Sequence, residues 1–220
     1  MIDGIRLKIC GLTTLVDAEF VDQAGADALG FILYPKSPRY ISLLQYKAMA
    51  PRLPEGRKRV AVMVEPSGAE LADALTADFD CFQIHFDPVK VPVSTVSGWS
   101  QAVGPKRLWL APKLPPGVEV GGELLPLADT FLLDTFRPDG FGGTGRTGDW
   151  TGFASQRVAH PEKTWILAGG LSPENIAAAL SESGANFIDA NSGVETAPGV
   201  KDHAKVRQLI GEITRAQAKG

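Results

Sequence analysis

Short apolar runs rich in β-branched residues alternate with amphipathic stretches along almost the whole chain, and turn residues separate them. A continuous apolar run such as residues 60–64, which follows Arg59, is typical of a strand that is covered on both faces. Helix-start signals follow several runs: Thr14 has Asp17 three residues on, and Ser67 has Glu70. The pattern therefore predicts strands and helices in alternation. The predicted strands are residues 5–10, 28–33, 59–64, 81–86, 107–111, 130–134, 164–168 and 186–190.

The intervals between these strands predict helices of unequal strength. Residues 87–104 hold two prolines and several serines, which favours only a short helix, and residues 112–122 favour a loop with a degenerate helix near 123–127. Ser172 followed by Pro173 predicts an N-cap with proline at the first helical position. The other predicted helices start at 14, 42, 67 and 150, and the last spans about 200–218.

Eight strands, each followed by a crossover, predict an α/β fold that closes into one (β/α)8 barrel, the TIM barrel. An open doubly wound sheet would also alternate, but it normally carries a G-x-G-x-x-G turn after its first strand. Residues 10–13, Cys-Gly-Leu-Thr, do not match that turn. With no linker, low-complexity tract or internal repeat, we expect residues 1–220 to form a single barrel domain.

Composition places the chain among ordinary globular proteins. Hydrophobic residues make up 44% and charged residues 21%, which excludes a disordered chain, a coiled coil and a collagen-like repeat. A net charge of −3 argues against a nucleic-acid partner. No apolar run approaches the roughly 18 residues that cross a bilayer, so we expect no membrane partner. Without a secretory signal or a disulfide framework, since Cys10 and Cys81 are the only cysteines, a cytoplasmic location is expected.

Three successive glycine-rich segments follow the last three predicted strands. In a barrel, ligands bind at the C-terminal ends of the strands, and a phosphate is the usual ligand where the loops after strands seven and eight converge. Glycine lets the backbone approach such a ligand and point N–H groups at it, although one such loop alone would more simply serve a turn. The segments are Gly142-Gly143-Thr144-Gly145, Gly169-Gly170 and Asn191-Ser192-Gly193.

Cys10 and Asp134 are the candidate base and acid. Cys10 ends the first strand just before a helix, whose dipole is expected to lower the thiol pKa from about 8.5 toward neutrality. Asp134 ends the sixth strand after three apolar residues, where a partly buried carboxyl can keep its proton and act as a general acid. A buried packing residue and a loop cap are the simpler alternatives. The two strands lie three steps apart in an eight-strand ring, so their end residues are expected to face each other across the mouth of the barrel, with room for a substrate between them.

Arg39 and His85 are further candidates at strand ends. Arg39 lies in a stiff Ser-Pro-Arg turn, where a guanidinium can bind a carboxylate through two nitrogens, unless it is a solvated surface residue. His85 could equally be a satisfied core histidine. No metal-type cluster of His or Cys accompanies it, so we expect no metal site.

An ordered set of segments across residues 8–205 resembles the phosphoribosylanthranilate isomerase family. No single motif is decisive, but the set occurs in family order over nearly the whole chain. The segments are Lys8-Ile9-Cys10-Gly11-Leu12-Thr13, Ser37-Pro38-Arg39-Tyr40-Ile41-Ser42, Leu133-Asp134 with residues 142–145 and Asp149-Trp150, residues 167–175, and Ser192-Gly193-Val194-Glu195 with residues 198–202.

The resemblance implies a cofactor-free Amadori rearrangement of N-(5-phosphoribosyl)anthranilate in tryptophan biosynthesis. It implies that Asp134 is the general acid that opens the furanose and that Cys10 is the general base that removes the C2′ proton. Arg39 would bind the anthranilate carboxylate, and the glycine-rich loops would bind the phosphate. The substrate is thus a small sugar phosphate bearing an anthranilate group. The family contains both monomers and dimers, so a monomer or homodimer is expected.

Two other functions stay open at this point. A histidine-pathway sugar phosphate isomerase runs the same rearrangement on a larger substrate, but its resembling members carry Asp where Cys10 stands. A non-catalytic phosphate-binding barrel would not require both Cys10 and Asp134. The chain departs from the family pattern at Glu65, Phe86, Gly148 and Asn191, and we expect Glu65 and Phe86 to alter the shape of the mouth.

Overall fold

A computed structural model describes residues 1–136 and 148–218 of the chain. Eight parallel strands close into a barrel in sequence order, with the last strand paired to the first. This confirms the predicted (β/α)8 barrel. The barrel strands are β1 Arg6–Ile9, β2 Ala28–Ile32, β3 Lys58–Val64, β4 Cys81–Phe86, β5 Leu108–Pro112, β6 Thr130–Leu133, β7 Thr164–Leu167 and β8 Phe187–Ala190.

Seven α-helices lie within the described residues, and none is long and apolar enough to cross a membrane. Between β5 and β6 the chain forms a short 3-10 helix, Leu125–Leu127, in the interval where a degenerate helix was predicted. The α-helices are α1 Leu15–Gln23, α2 Leu43–Met49, α3 Gly68–Leu75, α4 Val93–Val103, α5 Trp150–Ala159, α6 Ile176–Ser183 and α7 His203–Gln217.

Helix starts follow the predicted caps at most positions. Ser42 and Ser67 each form a capping box with the residue three positions on, and the Thr14 side chain accepts from the Asp17 N–H at 3.2 Å. The short helix predicted within residues 87–104 was wrong. Both prolines of that interval precede the first helical residue, so they do not interrupt the 11-residue α4.

The predicted start of α6 at Ser172 was also wrong. The Asn175 side chain accepts from the Ser172 N–H at 2.9 Å and donates to the Gly170 carbonyl at 2.8 Å. These bonds hold residues 172–175 as a turn, and the helix begins only at Ile176. A polar side chain that bonds its own backbone competes with helix formation in this way.

A small hairpin, absent from the sequence-based prediction, follows β8. A 3-10 turn at Ser192–Val194 leads into β9, Glu195–Ala197, which pairs antiparallel with β10, Val200–Lys201. The final helix therefore begins at His203 rather than near 200, with Asp202 as its N-cap. The pairing register sets Lys201 opposite Glu195.

The buried apolar residues form two separate clusters. A large apolar core fills the space between the strands and the helices, and a smaller cluster fills the barrel interior, where Trp109 packs edge-on against Phe187 at 5.6 Å. Because side chains alternate along a strand, Leu7 and Ile9 of β1 pack in the outer core whereas Cys10 belongs to the interior cluster.

Candidate active site

A cavity of about 270 Å³ lies at the C-terminal mouth of the barrel, and we call it the mouth cavity. It brings together most of the predicted site residues, which come from the ends of strands far apart in sequence. Those lining it are Cys10, Arg39, Asp134, Gly169, Gly170, Asn191 and Ser192, together with Lys36, Gln83, His85 and Asp189. Gly142, Gly143, Thr144 and Gly145 lie outside the described residues.

The loops after β7 and β8 pack tightly at the rim of this cavity. A Cβ at Gly193 would come within 2.0 Å of the Leu171 carbonyl oxygen, so the two loops can touch only because that residue is glycine. Gly193 is not among the residues that line the cavity. Gly169 and Gly170 have φ of +94° and +62°, which favour glycine. The predicted convergence of the two loops is therefore present.

The floor of the mouth cavity beside Cys10 carries a buried ion pair. The Lys8 side chain is fully buried, and its Nζ donates to Asp189 Oδ2 at 2.7 Å. A Cβ placed on Gly30 would lie 3.0 Å from both Cys10 Sγ and Lys8 Cε, so these two atoms are separated by at most twice that distance. Lys8, Cys10 and Asp189 therefore form one compact group inside the barrel.

The pKa of the Cys10 thiol is raised, not lowered as the sequence suggested. Burial is the largest cause, because it penalises the thiolate, while the charges of Lys8 and Lys201 act in the opposite direction. The expectation from the helix dipole was wrong because it left out desolvation: only 4% of Cys10 is exposed. The nearby ammonium groups are what limits the rise.

Arg39 is held by a carboxylate of the chain itself. Its Nε donates to Glu195 Oε1 at 2.9 Å and its Nη2 donates to Oε2 at 2.7 Å. The two-nitrogen carboxylate contact expected of Arg39 is thus made with Glu195. Within the described residues Nη1 has no hydrogen-bond partner, so a ligand carboxylate can reach that nitrogen.

Lys201 adds a second cation to Glu195 and shares the oxygen Oε1 with Arg39. Its buried Nζ donates to Glu195 Oε1 at 2.7 Å and to Asn191 Oδ1 at 2.9 Å. Burial on its own would raise the pKa of the Glu195 carboxyl, but Arg39 and Lys201 together lower it. Glu195 is therefore a carboxylate that fixes two cations beside the cavity.

Asp134 borders the mouth cavity from the side of β6. Its Oδ1 accepts from the Thr135 N–H at 2.7 Å. It also lines a second cavity of about 240 Å³ between the segments that follow β5 and β6, which we call the side cavity. In the closed ring β6 is three strands from β1, so the carboxyl and the Cys10 thiol meet the cavity from different sides.

His85 and Gln83 line the cavity from β4. Burial, with the charge of Lys8, lowers the pKa of His85 to about 4, so the ring is neutral near pH 7. The Gln83 amide nitrogen lies 2.7 Å from His85 Nε2, which therefore accepts. Gln83 Oε1 and Asp189 Oδ1 are buried and, within the described part of the chain, have no hydrogen-bond partner. Both oxygens can accept from hydroxyl groups of a ligand.

Of the four residues that depart from the family pattern, Asn191 lines the mouth cavity, whereas Glu65, Phe86 and Gly148 do not. Phe86 is fully buried, and its ring centroid lies 5.7 Å from that of Trp99 in α4. Glu65 is exposed at φ +44°, and its Oε1 accepts from the Asp87 N–H at 2.9 Å. Gly148 lines the side cavity.

Sequence reasoning did not single out four charged residues that lie at or beside the cavity, namely Lys8, Asp189, Glu195 and Lys201. A usable signal existed for Asp189, the one charged residue of β8, whereas Lys8 shares β1 with a second charged residue, Arg6. Residues 1–136 and 148–218 contain no group of three or more His, Cys, Asp or Glu side chains that could hold a metal ion.

Comparison with known proteins identifies relatives over almost the full length. Residues 7–212 match the family model described as N-(5'phosphoribosyl)anthranilate (PRA) isomerase. The N-(5'-phosphoribosyl)anthranilate isomerase of Pseudomonas fluorescens (strain Pf0-1) is 36% identical over 211 residues, covering 96% of this chain and 98% of the relative.

Solved structures agree with this assignment. The phosphoribosyl anthranilate isomerase of Thermus thermophilus superposes with a TM-score of 0.78 at 32% identity, covering 96% of this chain and 99% of the other. A phosphoribosyl anthranilate isomerase in complex with reduced 1-(o-carboxyphenylamino)-1-deoxyribulose 5-phosphate gives a TM-score of 0.72 at 30% identity, covering 96% and 98%.

Proposed function

The chain belongs to the N-(5'-phosphoribosyl)anthranilate isomerase family, and from that premise we propose how its residues divide the reaction. It is an isomerase of tryptophan biosynthesis that converts N-(5-phosphoribosyl)anthranilate into 1-(2-carboxyphenylamino)-1-deoxyribulose 5-phosphate. In this Amadori rearrangement the furanose opens to an imine, the C2′ proton leaves to give an enolamine, and a proton returns to C1′ as the ketone forms. The reaction therefore needs one acid at the ring oxygen and one base at C2′.

Asp134 is the acid and Cys10 is the base. The single observation that carries this assignment is their placement on different sides of one cavity, from strands three apart in the barrel. Protonation of the ring oxygen by Asp134 breaks the bond from C1′ to that oxygen. The resulting imine withdraws electrons from C2′, so a thiolate is a sufficient base for the C2′ proton. Each group is expected to accelerate the reaction by about 10²–10⁴-fold, and the positioning of the substrate in the cavity accounts for the rest of the acceleration.

Arg39 binds the anthranilate carboxylate through Nη1. Glu195 already orients the guanidinium through its other two nitrogens, so the side chain is ordered before the substrate arrives. Preorganisation of this kind saves the entropy of ordering a long side chain on binding. An analogue without the carboxylate is expected to bind poorly to the parent protein and to be nearly indifferent to Arg39→Ala.

The loops after β7 and β8 bind the phosphate. Gly169 and Gly170 leave the backbone open to close approach, and the 3-10 turn at Ser192–Val194 begins with N–H groups that have no partner inside the turn. A reduced product analogue is expected to bind far more tightly with its 5′-phosphate than without it. Equal affinities in calorimetry would remove the phosphate site from this proposal.

The assay uses purified protein and freshly prepared substrate, whose fluorescence falls on conversion. Cys10→Ser is expected to lose nearly all turnover while still binding the reduced product analogue, because a hydroxyl without a partner base cannot take the C2′ proton. Cys81→Ser is the matched control, since Cys81 is also buried but begins β4 at the other end of the barrel. A Cys10→Ser protein that turns over at the parent rate would make Cys10 a packing residue.

A further inference from the structure

Lys8 is buried more deeply than any function assigned so far requires. Its side chain is fully buried inside the barrel. Lysine is almost never fully buried without a partner, because burying an unpaired charge is costly. Asp189 supplies the counter-ion at 2.7 Å. An apolar pair of similar volume would fill the same space without the cost of desolvating two charges. The pair therefore points to a role beyond packing.

The geometry places the end of the Lys8 side chain close to the candidate base. Gly30 on β2 has no side chain, and the space a Cβ would take is bordered at 3.0 Å by both Cys10 Sγ and Lys8 Cε. Lys8 and Asp189 are also direct partners in the pairing of β1 with β8. Strand register thus fixes the lysine between the thiol and the carboxylate.

From this geometry we infer that Lys8 is a positioning residue: its ammonium, anchored by Asp189, holds the Cys10 thiolate in place as the base. The inference rests on the proposed role of Cys10. The pKa values agree with it, since Asp189 and Cys10 raise the pKa of Lys8 against the lowering effect of burial. Lys8 therefore stays charged, and its charge opposes the rise in the Cys10 pKa.

The charges around the thiol point the same way. Three cations border Cys10 or its immediate neighbours, namely Lys8, Lys201 and Arg39, and two carboxylates face them. His85 is neutral near pH 7 because its pKa is about 4. These three cations and two carboxylates leave one positive charge, which a Cys10 thiolate neutralises. Asp134, across the cavity, then holds the proton that its role as an acid requires. The active form and its proton-shifted partner, thiol with carboxylate, then carry equal total charge.

Titration of the Cys10 thiol tests the inference without any turnover. In a Cys81→Ala background Cys10 is the only thiol, so the pH dependence of iodoacetamide alkylation and of thiolate ultraviolet absorbance report on it alone. Lys8→Met is expected to slow alkylation near pH 7 about tenfold or more, the change that one unit of pKa produces. Asp189→Asn is expected to speed it, because removing the carboxylate favours the thiolate. Lys58→Met is the matched control, with an exposed lysine at the start of β3.

The double variant Lys8→Met/Asp189→Asn covers the case in which Lys8→Met alone fails to fold, because it leaves no unpaired buried charge. If Lys8 acts on the thiol, the double variant stays slow to alkylate, and the acidic limb of its kcat/KM pH profile moves to higher pH. If the pair only packs the barrel, the double variant titrates like the parent, which overturns the inference. Shifts in the same direction for Lys8→Met and Asp189→Asn would overturn it too.

The outcome separates this inference from the proposed function. If Cys10→Ser is inactive but Lys8→Met leaves the thiol titration unchanged, only the role of Lys8 falls. If Cys10→Ser turns over normally, the base assignment falls and the positioning role falls with it.

Discussion

The two sides of the mouth cavity differ in the contacts that surround the candidate base and the candidate acid. On the side of β8, β1 and β2, five ion-pair partners lie near Cys10. Lys8 pairs with Asp189, and both Arg39 and Lys201 pair with Glu195. On the side of β5 and β6, Asp134 stands at the end of a four-residue strand and borders the side cavity as well. Helix capping and loop contacts are found there, such as the bonds that Asp149 accepts from the N–H groups of Gly117 and Gly152.

This difference matches the two chemical tasks. A thiolate in a buried site must be stabilised by fixed positive charge, since desolvation alone raises its pKa. A carboxyl that acts as an acid must instead hold its proton until the ring opens, and burial favours that neutral form. We expect changes on the β1 and β8 side to act on the ionisation of the base and the orientation of Arg39. Changes near β6 should act on proton donation and on local stability.

The largest effect is expected at the acid itself. Asp134→Asn is nearly isosteric and cannot donate an acidic proton, so kcat should fall by about 10²–10⁴-fold while the reduced product analogue still binds. Asp129→Asn is the matched control, because Asp129 is exposed at the opposite end of the same strand. Steady-state fluorescence assays and calorimetry measure the two quantities. Most of the activity surviving in Asp134→Asn would reassign the acid to another group.

Sequence alone predicted the barrel and much of the mouth because both depend on local pattern. Apolar runs bounded by turn residues predicted all eight strands to within two residues, and a strand-end position is enough to place Cys10 and Asp134 at one rim. The hairpin at residues 195–201 escaped because two- and three-residue strands show no readable alternation.

What sequence could not predict is which charges pair. Glu195 and Arg39 are far apart in the chain, and the partner of Arg39 depends on a hairpin that the pattern did not reveal. The thiol pKa was predicted in the wrong direction for a related reason. A helix start is visible in the sequence, whereas the depth of burial that outweighs it depends on the packing of the whole barrel.

The next effect is on stability at the β1 and β8 side. Glu195→Gln removes the carboxylate that two cations share, and breaking such a buried arrangement costs about 3 kcal/mol. Arg39 should also lose its fixed orientation, so KM should rise more than kcat falls. Urea unfolding and steady-state kinetics measure both. Glu212→Gln on the surface of α7 is the control, and equal losses in the two variants would contradict the special position of Glu195.

His85 extends the comparison to pH, because Lys8 contributes to its low pKa. The folded protein lowers the pKa of His85 from 6.5 to about 4, so the unfolded chain binds this proton first as the pH falls. The resulting stability is present above about pH 6.5 and is lost as the pH falls toward 4. Between about pH 7 and pH 5 the loss is about 2 kcal/mol.

His85→Asn should remove that part of the pH dependence, as measured by urea unfolding at the two pH values. His160→Asn is the control, since His160 lies at the C-terminal end of α5, outside the cavity. If stability depends on pH in the same way in His85→Asn and in the parent, then His85 has the same pKa in the folded and unfolded protein, and the prediction is wrong.

The smallest effect is expected at Asp149, on the β6 side. Its Oδ1 caps α5 by accepting from the Gly152 N–H at 2.8 Å, and its Oδ2 accepts from the Gly117 N–H at 2.9 Å, which ties the segment after β5 to the helix after β6. Asp149→Ala removes both bonds and should cost about 1 kcal/mol of stability, the usual cost of an N-cap. Asp149→Asn keeps an accepting oxygen for the helix and should recover most of that loss, because Asn is as good a cap as Asp. Neither variant is expected to shift the alkylation pH profile of Cys10, in contrast to Lys8→Met. A shift in that profile on Asp149→Ala would show that the two sides of the cavity are electrostatically coupled rather than independent.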